Sequence, residues 1–289
     1  MTTGAVSSAV SPVAIVCGNG RLPLQVAEAA TARGRPVFLL GIVGIADPAI
    51  ERFPHTWIKL GQGGRAHRLL TERGCREVCF IGGLTRPSLS SLSFDWRTIR
   101  LAGRVAKLFI GGDDKLLSGI IDLVETEGGL KVVAPHDVAP EILAPAGPIG
   151  RREPSAAELA DIRLGLDCLR AMSAHDVGQA VVVGRGRVLA VEAAEGTDAM
   201  VDRVAELRRV GRIRLPDGTG VLVKAPKAGQ DRRIDLPALG PRTVLGAERA
   251  RLAGVAITAG AAVVADPVEL VAVADRAGLF VYGIPGEGV

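Results

Sequence analysis

The stretch VEAAEGTDAM, residues 191–200, sets Glu192, Glu195 and Asp198 around Gly196 and Thr197, directly after an apolar run. A second block, VKAPKAGQDRRIDLPALG at 223–240, leaves another apolar run and carries Lys224, Lys227, Gln230 and Asp235. Lys224 and Lys227 are two of only six lysines in the chain. Carboxylates beside a hydroxyl can hold a divalent cation or orient a water, and lysines can neutralise phosphate oxygens. Each block alone has an equally good structural account. An acidic strand-to-helix junction can cap a helix, and Asp-Leu-Pro after an apolar Ile ends a strand in a turn. Together, acids and lysines suit a phosphate ester with a divalent metal.

Glycine loops form a second set. CGNGRLP places Gly18, Asn19 and Gly20 after an apolar run, where glycines would let backbone N–H groups approach an anion at a helix start. IGGLTRP adds Gly82 and Gly83 beside Thr85 and Arg86. The first loop lacks the third glycine of a dinucleotide fingerprint, so a tight structural turn explains it equally well. Asp113 and Asp114 in GGDDKLL read first as helix caps. No Walker A loop, G-x-S-x-G elbow or H-E-x-x-H helix occurs, and the four histidines lack the spacing of a di-metal phosphoesterase.

The elements that must position these residues are short apolar runs alternating with helical periodicity, which predicts α/β architecture. Runs at 12–17, 36–44 and 77–83 read as buried parallel strands, and VVAPHDV (132–138) as the last strand of the first half. APEILAPAGPIGRREPS at 139–155 is rich in Pro and Gly and reads as a linker. It divides an N-terminal Rossmann-like parallel-sheet domain (10–140) from a C-terminal mixed α/β domain (155–289). Ser155 and Glu158 form a capping-box pattern opening the next helix, and GRGR at 184–187 reads as a hairpin turn.

A chain of 289 residues with 48% hydrophobic and 23% charged residues can build two such cores from Val, Ile, Leu and Ala, since aromatics make up 3%. Net charge is +4, with no basic stripe or block, which argues against nucleic acid as a partner. Cys17, Cys75, Cys79 and Cys168 lack a zinc spacing and read as reduced thiols. No basic-then-apolar leader opens the chain, and no apolar run is long enough to span a bilayer.

The ordered set GNGRLP, FIGGLTRP, GGDDKLL, PHDV, DVGQAVVV, VLAVEAAEGTDAM, KAPKAGQDRRIDLPALG and AGLFVYGI, from about Val13 to Ile284, resembles the LpxI-type UDP-2,3-diacylglucosamine pyrophosphatases. The resemblance implies hydrolysis of the pyrophosphate of UDP-2,3-diacylglucosamine to UMP and 2,3-diacylglucosamine 1-phosphate (lipid X) in lipid A synthesis, with Mg²⁺ or another divalent cation. It implies two domains with the lipid product between them, and matches the family's key carboxylate to Asp235.

On that basis Asp235, with Glu195 or Asp198, is expected to hold the metal or orient water, with Asp235 and Asp198 as its ligands. Lys224 and Lys227 would neutralise phosphate. Thr197, Gly196, Glu192, Gln230 and the glycines 18, 20, 82 and 83 with Asn19 would contact substrate. The expected partners are a lipid-linked nucleotide sugar and the inner-leaflet surface, with the protein cytoplasmic and peripheral on the cytosolic face of the inner membrane. Homodimerisation stays open. The competing expectation is a non-catalytic nucleotide-sugar or lipid-binding module.

Overall fold

The structure is a computed structural model that describes residues 11–84, 95–96, 104, 113–175, 177–227 and 231–286. The chain divides into two compact units, Met1–Pro140 and Glu141–Val289.

In the first unit the described elements are β1 (Val13–Cys17), α1 (Leu22–Ala32), β2 (Val37–Ile42), β3 (His55–Ile58), α2 (Gly63–Glu72), β4 (Glu77–Ile81), α3 (Asp113–Thr126), β5 (Lys131–Val132) and the short α4 (Pro135–Val138). Among the described residues, the strands make a five-stranded sheet in the order β3-β2-β1-β4-β5, every pairing parallel. Parallel strands are covered on both faces, which is why β2 is buried at all six positions. Strand order reverses between β1 and β4, so the loops carrying Gly18–Gly20 and Gly82–Gly83 flank the switch point. VVAPHDV is not one strand. Only Val132 of it pairs in the sheet, and Pro135, with its preset φ, opens α4 while the Asp137 carboxylate accepts the Ala134 N–H at 3.1 Å.

The second unit comprises β6 (Gly147–Pro148), α5 (Ala156–Met172), β7 (Ala180–Gly184), β8 (Arg187–Val191), α6 (Gly196–Arg209), β9 (Val221–Lys224), β10 (Ala238–Leu239), α7 (Pro241–Arg249), β11 (Gly254–Thr258), β12 (Val263–Val264), α8 (Pro267–Ala277) and β13 (Phe280–Ile284). Its main sheet runs β6-β13-β11-β9-β7-β8 among the described residues. The β9, β11 and β13 strands are parallel, whereas β6, β7 and β8 join antiparallel. A short parallel pair, β10 and β12, stands apart.

Alternation along the strands divides the core by face. Val181, Val183, Val221, Val223 and Phe280 pack against Ile162 and Leu169 of α5. Val182, Leu222, Val255, Ile257 and Val281 pack against α6, α7 and α8 through residues such as Met200, Val244 and Leu270. Helix α5 opens with the expected capping box: Ser155 N–H donates to Glu158 at 2.7 Å and Glu158 N–H to Ser155 Oγ at 3.4 Å.

The expected linker at 139–155 is instead built into the second unit. Pro148 and Gly147 pair with Tyr282 and Gly283, Ala144 N–H donates to Ala262 O at 2.9 Å, and Ile149 N–H to Val281 O at 2.9 Å. Its Pro and Gly content suits an edge strand, where a missing N–H costs no ladder bond. A Cβ on Gly283 would lie 1.7 Å from Pro145 O, so the strap sits directly on the β13 backbone.

The β7–β8 hairpin turns through Arg185 and Gly186 at φ 50° and 70°, the paired positive values of a tight hairpin. The buried Asp161 of α5 holds that turn, accepting Arg185 N–H at 2.9 Å and Gly186 N–H at 2.7 Å. Replacing Asp161 by Ala strands both amides and should lower stability by about 1–3 kcal/mol, read as a lower urea midpoint at unchanged m-value.

Candidate active site

One edge of the second sheet gathers the acidic and lysine blocks. Strand β9 ends at Lys224, which pairs in register with Ala180 at the start of antiparallel β7. Strand β8 ends at Val191 opposite Val181. Gln179, Glu192 and Lys224 therefore meet where three strands begin or end. The chain then turns into α6 through Gly196 at φ 79°, a conformation a side chain resists, and this delivers Thr197 to the same edge.

Glu192 is the buried hub. Its Oε1 accepts the Thr197 hydroxyl at 2.8 Å and its Oε2 accepts the Gln179 N–H at 2.8 Å. Its own N–H donates to Ala180 O at 2.9 Å, continuing the ladder past the end of β8. A Cβ on Gly178 would lie 2.5 Å from Glu192 Cγ, so glycine there makes room for the side chain. Lys224 is 8% exposed and donates from Nζ to Thr197 Oγ1 at 3.1 Å and to Ala238 O at 3.0 Å. Thr197 is thus committed on both sides, giving its proton to Glu192 and its lone pair to the ammonium. Burial pushes the Lys224 pKa below the ordinary lysine value, and the negative charges of Glu192 and Asp198 oppose that shift.

Asp235 joins through Gln179, whose Nε2 donates to Oδ2 at 3.3 Å. Its loop is held locally: Asp235 N–H donates to Asp231 O at 3.1 Å, and the Asp231 carboxylate takes the Arg233 guanidinium at 2.7 Å. Among the expected site residues, Glu192, Thr197, Lys224 and Asp235 are therefore linked in one network.

Others stand apart. Glu195 is on the surface, where its carboxylate accepts Arg203 at 2.8 Å and Ala193 N–H at 3.1 Å. Its own backbone amide first, then Arg203, hold its pKa below the usual carboxylate range. The expectation that Glu195 assists Asp235 is not met in this geometry, because the inward acid of the block is Glu192. Asp198 is exposed and bonds Arg242 at 2.9 Å, although its charge still acts on Lys224. Gly196 N–H is taken by Ala193 O at 3.2 Å, so that amide is not offered to a phosphate. Lys227 follows β9 half-buried, and Gln230 lies outside the described residues.

The glycine loops of the first unit also differ from expectation. Gly18 N–H donates to Ile81 O at 2.9 Å, Asn19 N–H to Gly83 O at 2.7 Å and Gly83 N–H to Asn19 O at 2.8 Å. A Cβ on Gly18 would lie 2.7 Å from Gly82 O. Glycine lets these two backbones meet, and the three amides are spent on each other rather than on a ligand.

Among the described residues no group of three or more His, Cys, Asp or Glu side chains is placed to hold a metal. Mg²⁺ does not require one, since it commonly takes one or two carboxylates and completes its shell with phosphate oxygens and water. Asp235 supplies a hard oxygen donor of that kind; Asp198 would first exchange Arg242. Sequence reading missed Gln179 and Arg242. Gln179 had a visible signal, as the polar residue directly ahead of AVVV, but its partners come from strand register.

Comparison with known proteins covers both units. The LpxI N-terminal domain family matches residues 12–142 and the LpxI C-terminal domain family residues 145–282. The chain is 39% identical over 270 residues to a Caulobacter vibrioides protein named UDP-2,3-diacylglucosamine pyrophosphatase LpxI, covering 93% of this chain and 96% of that one. A solved UDP-glucose-4-epimerase from Stenotrophomonas maltophila with bound NAD and formylated UDP-arabinopyranose aligns at 14% identity and TM-score 0.27, over 56% of this chain and 49% of that one, too remote to bear on fold or activity.

Removing the charge of Glu192 leaves the buried Lys224 ammonium short of its principal counter-charge. Glu192→Gln should cost about 3–5 kcal/mol at neutral pH. Lys224 then releases its proton more readily in the folded state than in the unfolded one, so the variant's stability should rise with pH toward the ordinary lysine range. Urea titrations from neutral to alkaline pH check this; a deficit that stays constant across the range contradicts it.

Proposed function

The chain belongs to the LpxI family, and from that premise we propose that it hydrolyses the pyrophosphate bond of UDP-2,3-diacylglucosamine to UMP and 2,3-diacylglucosamine 1-phosphate, a step of lipid A synthesis. The observation that carries the reading is the Lys224–Thr197–Glu192–Gln179–Asp235 network, which gathers an ammonium, a hydroxyl and two carboxylates at one sheet edge in a chain matched over both halves to that family.

A pyrophosphate diester resists hydrolysis because its anionic oxygens repel nucleophiles, so the site must neutralise charge and place a water. Lys224 presents a fixed positive charge whose position Thr197 and Ala238 O define. Lys227, three residues on, adds a second charge on the same exit from β9. Asp235 orients the attacking water and takes its proton. Asp235, with Asp198 once it exchanges Arg242, would hold Mg²⁺, which when bound would supply further charge neutralisation at the phosphate oxygens. Glu192 does not contact the reacting atoms; it keeps Thr197 and Lys224 in place.

A lipid-linked substrate puts the enzyme at the cytosolic face of the inner membrane. No helix among the described residues is long and apolar enough to cross a membrane. Attachment therefore draws on exposed arginines such as Arg187, Arg212 and Arg214, each contributing roughly 1 kcal/mol near an anionic surface. Sedimentation with phosphatidylglycerol vesicles should fall steeply between low and high salt, and binding that persists in high salt would refute the electrostatic attachment.

Purified protein with UDP-2,3-diacylglucosamine should release UMP in Mg²⁺ and stop when EDTA removes it. Asp235→Asn should lower kcat by about 10²–10⁴-fold with an unchanged circular dichroism spectrum. If wild-type protein releases no UMP with or without Mg²⁺, a non-catalytic nucleotide-sugar or lipid-binding module becomes the better reading.

A further inference from the structure

We infer that Thr258 is a substrate-binding residue of this site, its hydroxyl donating to an acyl carbonyl of the diacylated sugar. The inference rests on the pyrophosphatase reading above and names which half of the substrate this part of the sheet edge takes.

Thr258 ends β11, the middle of the parallel strands β9, β11 and β13. Ligands of α/β sheets bind at the carboxyl ends of such strands. Thr258 lies one residue beyond Ile257, which pairs with Lys224, and on its other side it pairs with Ile284. The residue is 5% exposed, and its hydroxyl is buried with no hydrogen-bond partner among the described residues. Buried hydroxyls are normally satisfied, and an unsatisfied one lowers stability. Valine would fill the same space without that cost, so folding alone gives no reason for the hydroxyl.

Alternation fixes the face it occupies. Ala256 packs with the α5 core and Ile257 with the opposite one, so Thr258 returns to the α5 face. Val223 and Ala225 share that face, whereas Lys224 between them projects to the other, toward Thr197 and Ala238 O. At this end the α5 face is finished by half-buried apolar side chains, Ala225 and Ile284.

These surroundings select the acceptor. A phosphate oxygen brought against one neutral hydroxyl on an apolar face would leave its charge unanswered. The ammonium that answers such a charge is on the other face. A carbonyl is neutral, is satisfied by a single donor, and arrives attached to a hydrocarbon chain that suits Ala225 and Ile284. The two faces of one edge thereby divide the substrate, phosphate to Lys224 and acyl linkage to Thr258. Rotation about χ1 lets the covered hydroxyl turn to meet the carbonyl.

The test uses the full-length protein and two probes, UMP and 2,3-diacylglucosamine 1-phosphate in detergent micelles, with binding read by calorimetry. Thr258→Val should weaken binding of the lipid product by about 3- to 10-fold, leave UMP binding unchanged, and keep or raise the thermal midpoint. In UMP release from UDP-2,3-diacylglucosamine, the same variant should raise KM by a similar factor with kcat within about twofold, the pattern of a contact made equally in ground and transition states. Thr258→Ser restores the donor and should bind the lipid product like wild type. Unchanged lipid affinity in Thr258→Val, a loss that falls on UMP instead, or a lowered midpoint with unaltered binding overturns the inference. Wild-type protein that binds neither probe overturns it too. Wild-type protein that binds the lipid product yet releases no UMP defeats the hydrolysis reading alone, and the Thr258→Val affinities still decide this contact. If Thr258→Val does not fold, Thr258→Ala removes the same hydroxyl and takes its place.

Discussion

A lysine ammonium that is 8% exposed must be answered from inside the protein, and much of the second unit is arranged around that demand. Lys224 ends a strand whose preceding residues are apolar and fully buried, so its side chain emerges where the sheet stops rather than at the surface. The answer comes from a hydroxyl, a main-chain carbonyl and, one bond further, a carboxylate. None of these is a neighbour in sequence. The hydroxyl requires α6 to begin where it does, the carbonyl requires β10 to pass overhead, and the carboxylate requires β8 to return beside β7. A charge in this position therefore links tertiary structure to function. The groups that make its burial tolerable are the groups that define the site.

The same demand separates the acids of the 191–200 segment. Glu192 turns inward because Gly178 leaves space for it and two donors await it. Glu195 and Asp198 stay outside and are neutralised by Arg203 and Arg242. The three carboxylates of one short segment thus divide, one turned inward and two paired at the surface. Asp235 is reached from a separate loop, through a neutral amide rather than a second charge.

How much of this was legible in the sequence follows from what is local and what is not. The apolar runs at 37–42 and 180–184 announce strands because burial on both faces leaves no alternation, and Ser155 with Glu158 announces a helix start because both bonds lie within one turn. The hairpin at Arg185–Gly186 is equally local. The acidic and lysine blocks could be picked out by residue type, and their joint meaning by chemistry. Which acid faces inward could not, since it depends on the space above Gly178 and on the register of β8 against β7. The glycine loops are ambiguous in the sequence for a related reason. Glycine signals close approach of a backbone, but not what approaches, and here a Cβ on Gly18 would meet the carbonyls of Gly82 and Gly83. Prolines in 139–155 suggest a break between domains, although Pro148 lies in an edge strand.

That edge strand has a further consequence. The β13 strand is buried at Phe280, Val281 and Gly283, and its open side would offer a row of main-chain donors and acceptors to any passing strand. Gly147 and Pro148 occupy that side, and Pro148 has no N–H to recruit another neighbour. The segment therefore covers that side of β13. A fragment cut to begin at Ser155 would leave this side of β13 open to strand addition.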